Sequence, residues 1–155
     1  SSTIGNNVLI ETSKVDSSII QDNTKIGPFA HLRPNSNIAE KCKVGSFVET
    51  KNSNIGIGSK VPHLTYVGDS DVGRNVEIAC GVITANMNVN FEKNRTIIKD
   101  KAFIGCNSTL LAPITIGENS IVAAGSTITE NVPKDALAIA REKQNTKIDY
   151  SKSKS

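Results

Sequence analysis

Two histidines are present in this 155-residue chain. The one better placed for chemistry is His63, in the run Val61-Pro62-His63-Leu64-Thr65-Tyr66. An imidazole with its ordinary pKa of about 6.5 is largely neutral at pH 7 and can accept a proton as a general base. Arg33, Lys51 and Lys93 are candidate anion binders. Together with His63 they suit a phosphorylated substrate, since guanidinium and ammonium groups both pair with phosphate oxygens. His31 reads as an ordinary surface histidine. The three cysteines, Cys42, Cys80 and Cys106, are odd in number and lack C-x-x-C spacing. That argues against a zinc cluster or a disulfide framework and for a reduced, cytoplasmic setting.

What must position these groups is a repeat of six residues. Ile26, Leu32, Ile38 and Val44 fall at six-residue steps, and so do Ile104, Leu110, Ile116, Val122 and Ile128. Between them run Ile55, Val61, Val67, Val72 and Ile78, with one step shortened to five. Each unit opens with an aliphatic residue, often followed by Gly, and its fifth position is usually small. Neither strand alternation nor a helical period of 3.6 accounts for this. A short strand and a turn per unit does, with three units closing a triangular coil of 18 residues. The aliphatics then point inward and stack over their counterparts one coil away, and the glycines are expected to permit the corner conformation. His63, third in its unit, points outward. One stretch, 84–96, is polar, Asn-rich and off period, and reads as a loop extruded on the binding face.

Composition agrees with a regular stack. Hydrophobic residues make up 37%, but only four Phe, two Tyr and no Trp are present, too few aromatics to fill an irregular core. The net charge of +3 is too mild for a nucleic-acid footprint, and no apolar run of 18 residues could form a membrane helix. The N-terminus shows no signal-peptide pattern. Residues 1–130 are expected to form the β-helix, with a less regular first coil and a half. Residues 131–155 are expected to form an arm and a disordered tail, 134–141 being a short helix or an extended segment, and 151–155 disordered.

Four stretches carry a resemblance: IGPFAHLRP (26–34), VGSFVETK (44–51), HLTYVGD (63–69) and IGCNSTLLAPITIGENSIVAAGSTIT (104–129). The chain resembles the left-handed parallel β-helix acyltransferases. More narrowly, it is similar to the C-terminal acetyltransferase domain of the bifunctional bacterial enzyme that acetylates glucosamine 1-phosphate and then uridylylates it. The resemblance implies an all-β, left-handed parallel β-helix assembled as a homotrimer, with active sites between subunits. It implies acetyl-coenzyme A as donor, glucosamine 1-phosphate as acceptor, no metal requirement, and a product on the way to UDP-N-acetylglucosamine and the cell wall. His63 matches the family's general base. Arg33, Lys51, Tyr66 and Lys93 match its sugar-phosphate contacts. Cys80, Asn86, Met87, Cys106, Ala124 and Arg141 match its coenzyme contacts, Cys80 through a backbone amide facing the thioester oxygen. Arg141 is expected to reach a coenzyme phosphate across a subunit boundary.

Two departures bear on the acceptor. Glu77 stands where the family usually has Asn beside the acetamido group, and Met87 stands where it usually has Tyr. Another amino sugar as acceptor, or a non-catalytic β-helix, therefore stays open. A metal-dependent carbonic anhydrase on the same helix takes three histidine ligands, and this chain has two. No Gly-rich nucleotide loop is present, so no uridylyl transfer is expected of this chain.

Overall fold

The computed structural model describes residues 1–152 as a parallel β-helix of three sheets, with seven, eight and seven strands. The first face carries Thr3–Ile4, Ile19–Ile20, Ser36–Ile38, Ser53–Ile55, Ser70–Val72, Thr96–Ile98 and Ile114–Ile116. The second carries Leu9–Ile10, Lys25–Ile26, Lys43–Ser46, Lys60–His63, Glu77–Ile78, Phe103–Ile104, Ile121–Val122 and Leu137–Ala138. The third carries Lys14–Val15, His31–Leu32, Glu49–Lys51, Tyr66–Gly68, Ile83–Ala85, Thr109–Leu111 and Thr127–Ile128. Chain order visits the faces in turn, so every strand inside a sheet pairs with the strand one coil earlier and one coil later, and the end strands pair on one side.

Register explains the stability. Ile78 pairs with Ile104 and Ile104 with Val122, all fully buried. Each such side chain contributes roughly 1.5–3 kcal/mol by leaving water. The column is not purely aliphatic. Thr50 and Thr84 take inward positions on the third face and are fully buried. Their hydroxyls are satisfied inside, Thr50 Oγ1 donating to Ser36 Oγ at 2.8 Å and Thr84 Oγ1 accepting from Gly68 N at 2.8 Å. The small fifth-position residues line the corners, where Ser59 donates to the Gly73 carbonyl at 2.7 Å and Ser120 to the Gly117 carbonyl at 2.6 Å.

Coil length departs from a uniform 18. Lys43, Lys60 and Glu77 are successive partners 17 residues apart, and Leu9 pairs with Lys25 after 16. Across the extruded loop the step is 26, from Ile78 to Ile104. The extra length lies in 86–95, because Thr84 and Thr96 are themselves buried strand residues. The role expected of the glycines after the aliphatics holds at Gly27, whose φ is 96, and is corrected at positions such as Gly105. Gly105 does not carry a positive φ; a Cβ there would meet the Ala124 nitrogen at 2.5 Å. Glycine is needed because the next coil lies against it. The left-handed corner positions are instead filled largely by Asn and Asp, such as Asn52 (φ 47) and Asp69 (φ 46), the non-glycine residues that tolerate them best.

Of the two shapes open for 134–141, the extended one is found. Leu137 pairs with Ile121 as a last strand on the second face. Residues 153–155 of the expected disordered tail lie outside the described residues, and 151–152 close a turn through Lys152 N and the Asp149 carbonyl at 3.1 Å.

Candidate active site

The third face lies between two corners, and the residues with chemistry are distributed over all three. Register puts Arg33 level with Lys51 and Gly68, because His31 pairs with Glu49 and Glu49 with Tyr66 two residues earlier. Glu49 sits between Arg33 and Tyr66 and holds the Arg33 guanidinium at 2.7 Å. That hydrogen bond raises the Arg33 pKa, and Tyr66 adds to it. The Tyr66 ring folds back over Gly68; any Cβ at 68 would collide with the ring and its hydroxyl. The Tyr66 hydroxyl thereby reaches Asn86, whose Nδ2 donates to it at 3.4 Å.

Asn52, Asp69 and Asn86 stack at the corner between the third and first faces. Asp69 is buried and accepts from Asn52 Nδ2 at 2.5 Å and from Asn86 Nδ2. Burial alone would raise its pKa. The two amide hydrogen bonds and the charges of Lys93 and Lys51 outweigh that, so the net shift is downward. The carboxylate stays ionised against its desolvation. The extruded loop leaves the helix at Asn86, is pinched by a bridge between Met87 and Lys93, and returns at Arg95. Arg95 forks onto Asp71 at 2.7 and 2.9 Å and donates to the Asn52 carbonyl at 3.2 Å. This fork lowers the Asp71 pKa and raises that of Arg95.

So anchored, Lys93 faces Lys51. Their contact lowers the Lys51 pKa, and Arg33 lowers it further. Among the described residues neither lysine ammonium has a carboxylate within ion-pair distance. Two ammonium groups without a carboxylate partner, held beside a guanidinium that Glu49 pairs, form a site for an anion, which would relieve the repulsion between the lysines.

His63 ends its strand at the opposite corner, exposed, three residues before Tyr66. Thr65 is buried behind it and donates to the His63 carbonyl at 2.6 Å, which fixes the turn. Three residues beyond the paired column Lys60, Glu77, Phe103, Ile121 lies the row His63, Cys80, Cys106, Ala124. Arg141 closes this row by donating from Nη1 to the Ala124 carbonyl at 2.5 Å. Among the described residues the Cys80 N–H donates to no acceptor, while its carbonyl accepts from Asn107 N at 2.8 Å. It is an amide left available on the surface, one coil above the imidazole.

The structure thus gathers Arg33, Lys51, Tyr66, Lys93 and Asn86 on one side, and His63, Cys80, Cys106, Ala124 and Arg141 along the other corner. Asn86 lies with the anion cluster rather than in the second row. Glu77 joins neither group directly. It stands on the second face, 3.9 Å from Lys60, above the paired lysines Lys25, Lys43 and Lys60. Met87 is exposed on the loop. His31 is held by Asp16 at 3.1 Å, on the rung of Glu49 and Tyr66. Sequence reasoning missed Asp69, Asp71, Arg95 and Glu49 as supports. A signal existed for one of them: Asn52, Asp69 and Asn86 recur at the 17-residue coil step with short polar side chains.

Comparison with known proteins sharpens this picture. The bacterial transferase hexapeptide family (six repeats) matches residues 95–130. A bifunctional protein GlmU from Caldicellulosiruptor saccharolyticus is 58% identical over 146 residues, covering 94% of this chain and 31% of the relative. One from Shouchella clausii is 52% identical over 98% of this chain and 33% of the relative. The chain therefore spans about a third of the length of the curated relatives it matches. Among solved structures, a mutant perosamine N-acetyltransferase from Caulobacter crescentus, in complex with CoA and GDP-perosamine, aligns with a TM-score of 0.67 at 20% identity. That alignment covers 80% of this chain and 66% of the other. The polySia specific acetyltransferase NeuO aligns at 0.52 and 16% identity, over 91% of this chain and 82% of that one. At these identities the two structures speak for the fold.

Proposed function

We propose that this chain, which belongs to the hexapeptide transferases as the counterpart of the C-terminal domain of the bifunctional GlmU proteins, is an acetyl-coenzyme A-dependent N-acetyltransferase acting on glucosamine 1-phosphate. The observation that carries it is the cluster of Arg33, Lys51 and Lys93 beside Tyr66, on the face that begins three residues after His63. The cluster takes the phosphate. The sugar ammonium loses one proton to solvent, and His63 takes a second from the amine nitrogen as it attacks the thioester carbonyl. The Cys80 N–H stabilises the developing oxyanion. As the tetrahedral intermediate collapses, the carbon–sulfur bond breaks and the coenzyme leaves as a thiol, taking the proton from the imidazolium. The donor lies along Cys80, Cys106 and Ala124, with Arg141 at the end of the row and Met87 on the loop above.

Assembly as a homotrimer completes the site. Support comes from the outward residues Phe103, Ile121 and Leu137, an exposed apolar stack on the second face where the lower coils carry lysines. The test is a thiol-release assay with acetyl-coenzyme A and two acceptors, glucosamine 1-phosphate and glucosamine. Turnover of the phosphorylated sugar, with a much higher KM for the other, is expected. Equal use of both would remove the role given to the cation cluster. A second acceptor has one observation in its favour, the Glu77 carboxylate held by Lys60. Widened acceptor use that narrows in Glu77→Asn would establish it.

A further inference from the structure

Cys80 and Cys106 are neighbours on adjacent coils, and nothing in the acetyl-transfer chemistry uses their thiols. Ile78 pairs with Ile104. The ladder continues on both sides, with Ala79 N donating to the Ile104 carbonyl at 2.9 Å and Asn107 N to the Cys80 carbonyl at 2.8 Å. Two residues on from the Ile78–Ile104 pair, Cys80 and Cys106 therefore share a rung. Adjacent strands lie about 4.8 Å apart, inside the roughly 4.4–6.8 Å between Cα atoms that a disulfide spans. The turn residues beside them, Gly81 and Asn107, also stack and both have positive φ, so the two backbones follow the same path. Cys80 is half-buried and Cys106 exposed, so both thiols can meet a reagent. Cys42 differs. It is buried, its thiol is pushed up by desolvation, and its Sγ lies 3.1 Å from the Gly56 carbonyl.

We propose that Cys80 and Cys106 are a modification site that closes reversibly to an intramolecular disulfide under a small-molecule disulfide. One thiolate attacks the disulfide RSSR, forming a mixed disulfide and releasing RS⁻. The other thiolate attacks the cysteine sulfur of that mixed disulfide and releases the second RS⁻. The Cys80–Cys106 sulfur–sulfur bond forms and that of RSSR breaks. The protein gives up two electrons, and the two thiol protons end on the released RS⁻ groups. The bridge falls in the row between His63 and Ala124. On the transferase reading it therefore sits where the coenzyme lies, although its formation does not depend on that reading.

The test treats the full chain with oxidised glutathione and titrates thiols after denaturation. The count should fall from the three free cysteines to one. A non-reducing tryptic map should show 75–93 joined to 102–134, with Cys42 still free, and added reductant should restore all three thiols. Cys80→Ser and Cys106→Ser should each stop at a glutathione adduct on the remaining partner. Adducts on both cysteines without a link in the unaltered chain would overturn the proposal. So would a link between two copies, or an unchanged thiol count. Because mass reports the link, a bridged chain that transfers no acetyl group keeps this site and removes only the transferase reading.

Discussion

A carboxylate buried beside two lysines keeps its charge only if hydrogen bonds replace the water it has lost, and Asp69 obtains them from Asn52 and Asn86. Its pKa is lowered in the fold, so its contribution to stability is present above the unfolded value of about 3.9. That contribution is lost as pH falls through the lower folded value. Asp69→Asn should therefore cost about 1.5–3 kcal/mol at pH 7, and urea melts should show the difference shrinking below about pH 4. A constant difference across that range would mean that charge is not what Asp69 contributes. Gly68 is tied to Tyr66 by sterics alone, since a methyl group at 68 takes the space of the ring. Gly68→Ala should raise the acceptor KM about tenfold or more, the loss of one charged hydrogen bond, with the donor KM unchanged. An unchanged acceptor KM would show that Tyr66 does not touch the sugar phosphate. Arg33 was legible in the sequence because it takes a second position that the repeat often gives to Gly, and His63 because the third position of its unit points outward. Asp69 was not, because its partners lie 17 residues away on either side and only the closed coil brings them together.

At the scale of elements, the loop is held at its two ends. Asn86 ties its start to Asp69, and Arg95 ties its return to Asp71 and the Asn52 carbonyl. Lys93 faces Lys51 because both ends are fixed. Thr96, the first strand residue after the loop, carries the only buried side-chain oxygen without a hydrogen bond among the described residues. Replacing it with the isosteric Val removes an unsatisfied hydroxyl, so Thr96→Val should raise stability by about 1 kcal/mol. A thermal melt checks this, and a fall in Tm would mean that the hydroxyl is partnered in solution. The sequence marked the loop by its loss of period. Its start was set two residues and its end one residue too wide, because Thr84 and Thr96 look polar in the sequence yet face the core.

At the scale of the molecule, the six-residue period carries most of the fold, since an aliphatic every sixth residue leaves a closed triangular stack as the way to bury one face. The variable coil length and the extended arm were less legible. The five-residue step at Val72 shows in the sequence, but the 16-residue step from Leu9 to Lys25 and the pairing of Leu137 with Ile121 follow from contacts between coils, not from local pattern. The exposed stack Phe103, Ile121 and Leu137 is the surface proposed to meet other copies. Phe103→Glu should lower the mass seen by light scattering from trimer to monomer, and a trimer that persists would move the interface elsewhere. The central claim joins both corners and the assembled molecule: His63 deprotonates the amine that attacks acetyl-coenzyme A. Single-turnover acetyl transfer to glucosamine 1-phosphate, with both substrates saturating, tests it most directly. His63→Ala should lower this rate by about 10²–10⁴-fold while acetyl-coenzyme A binding measured by calorimetry is retained. A variant that transfers at the unaltered rate would contradict it.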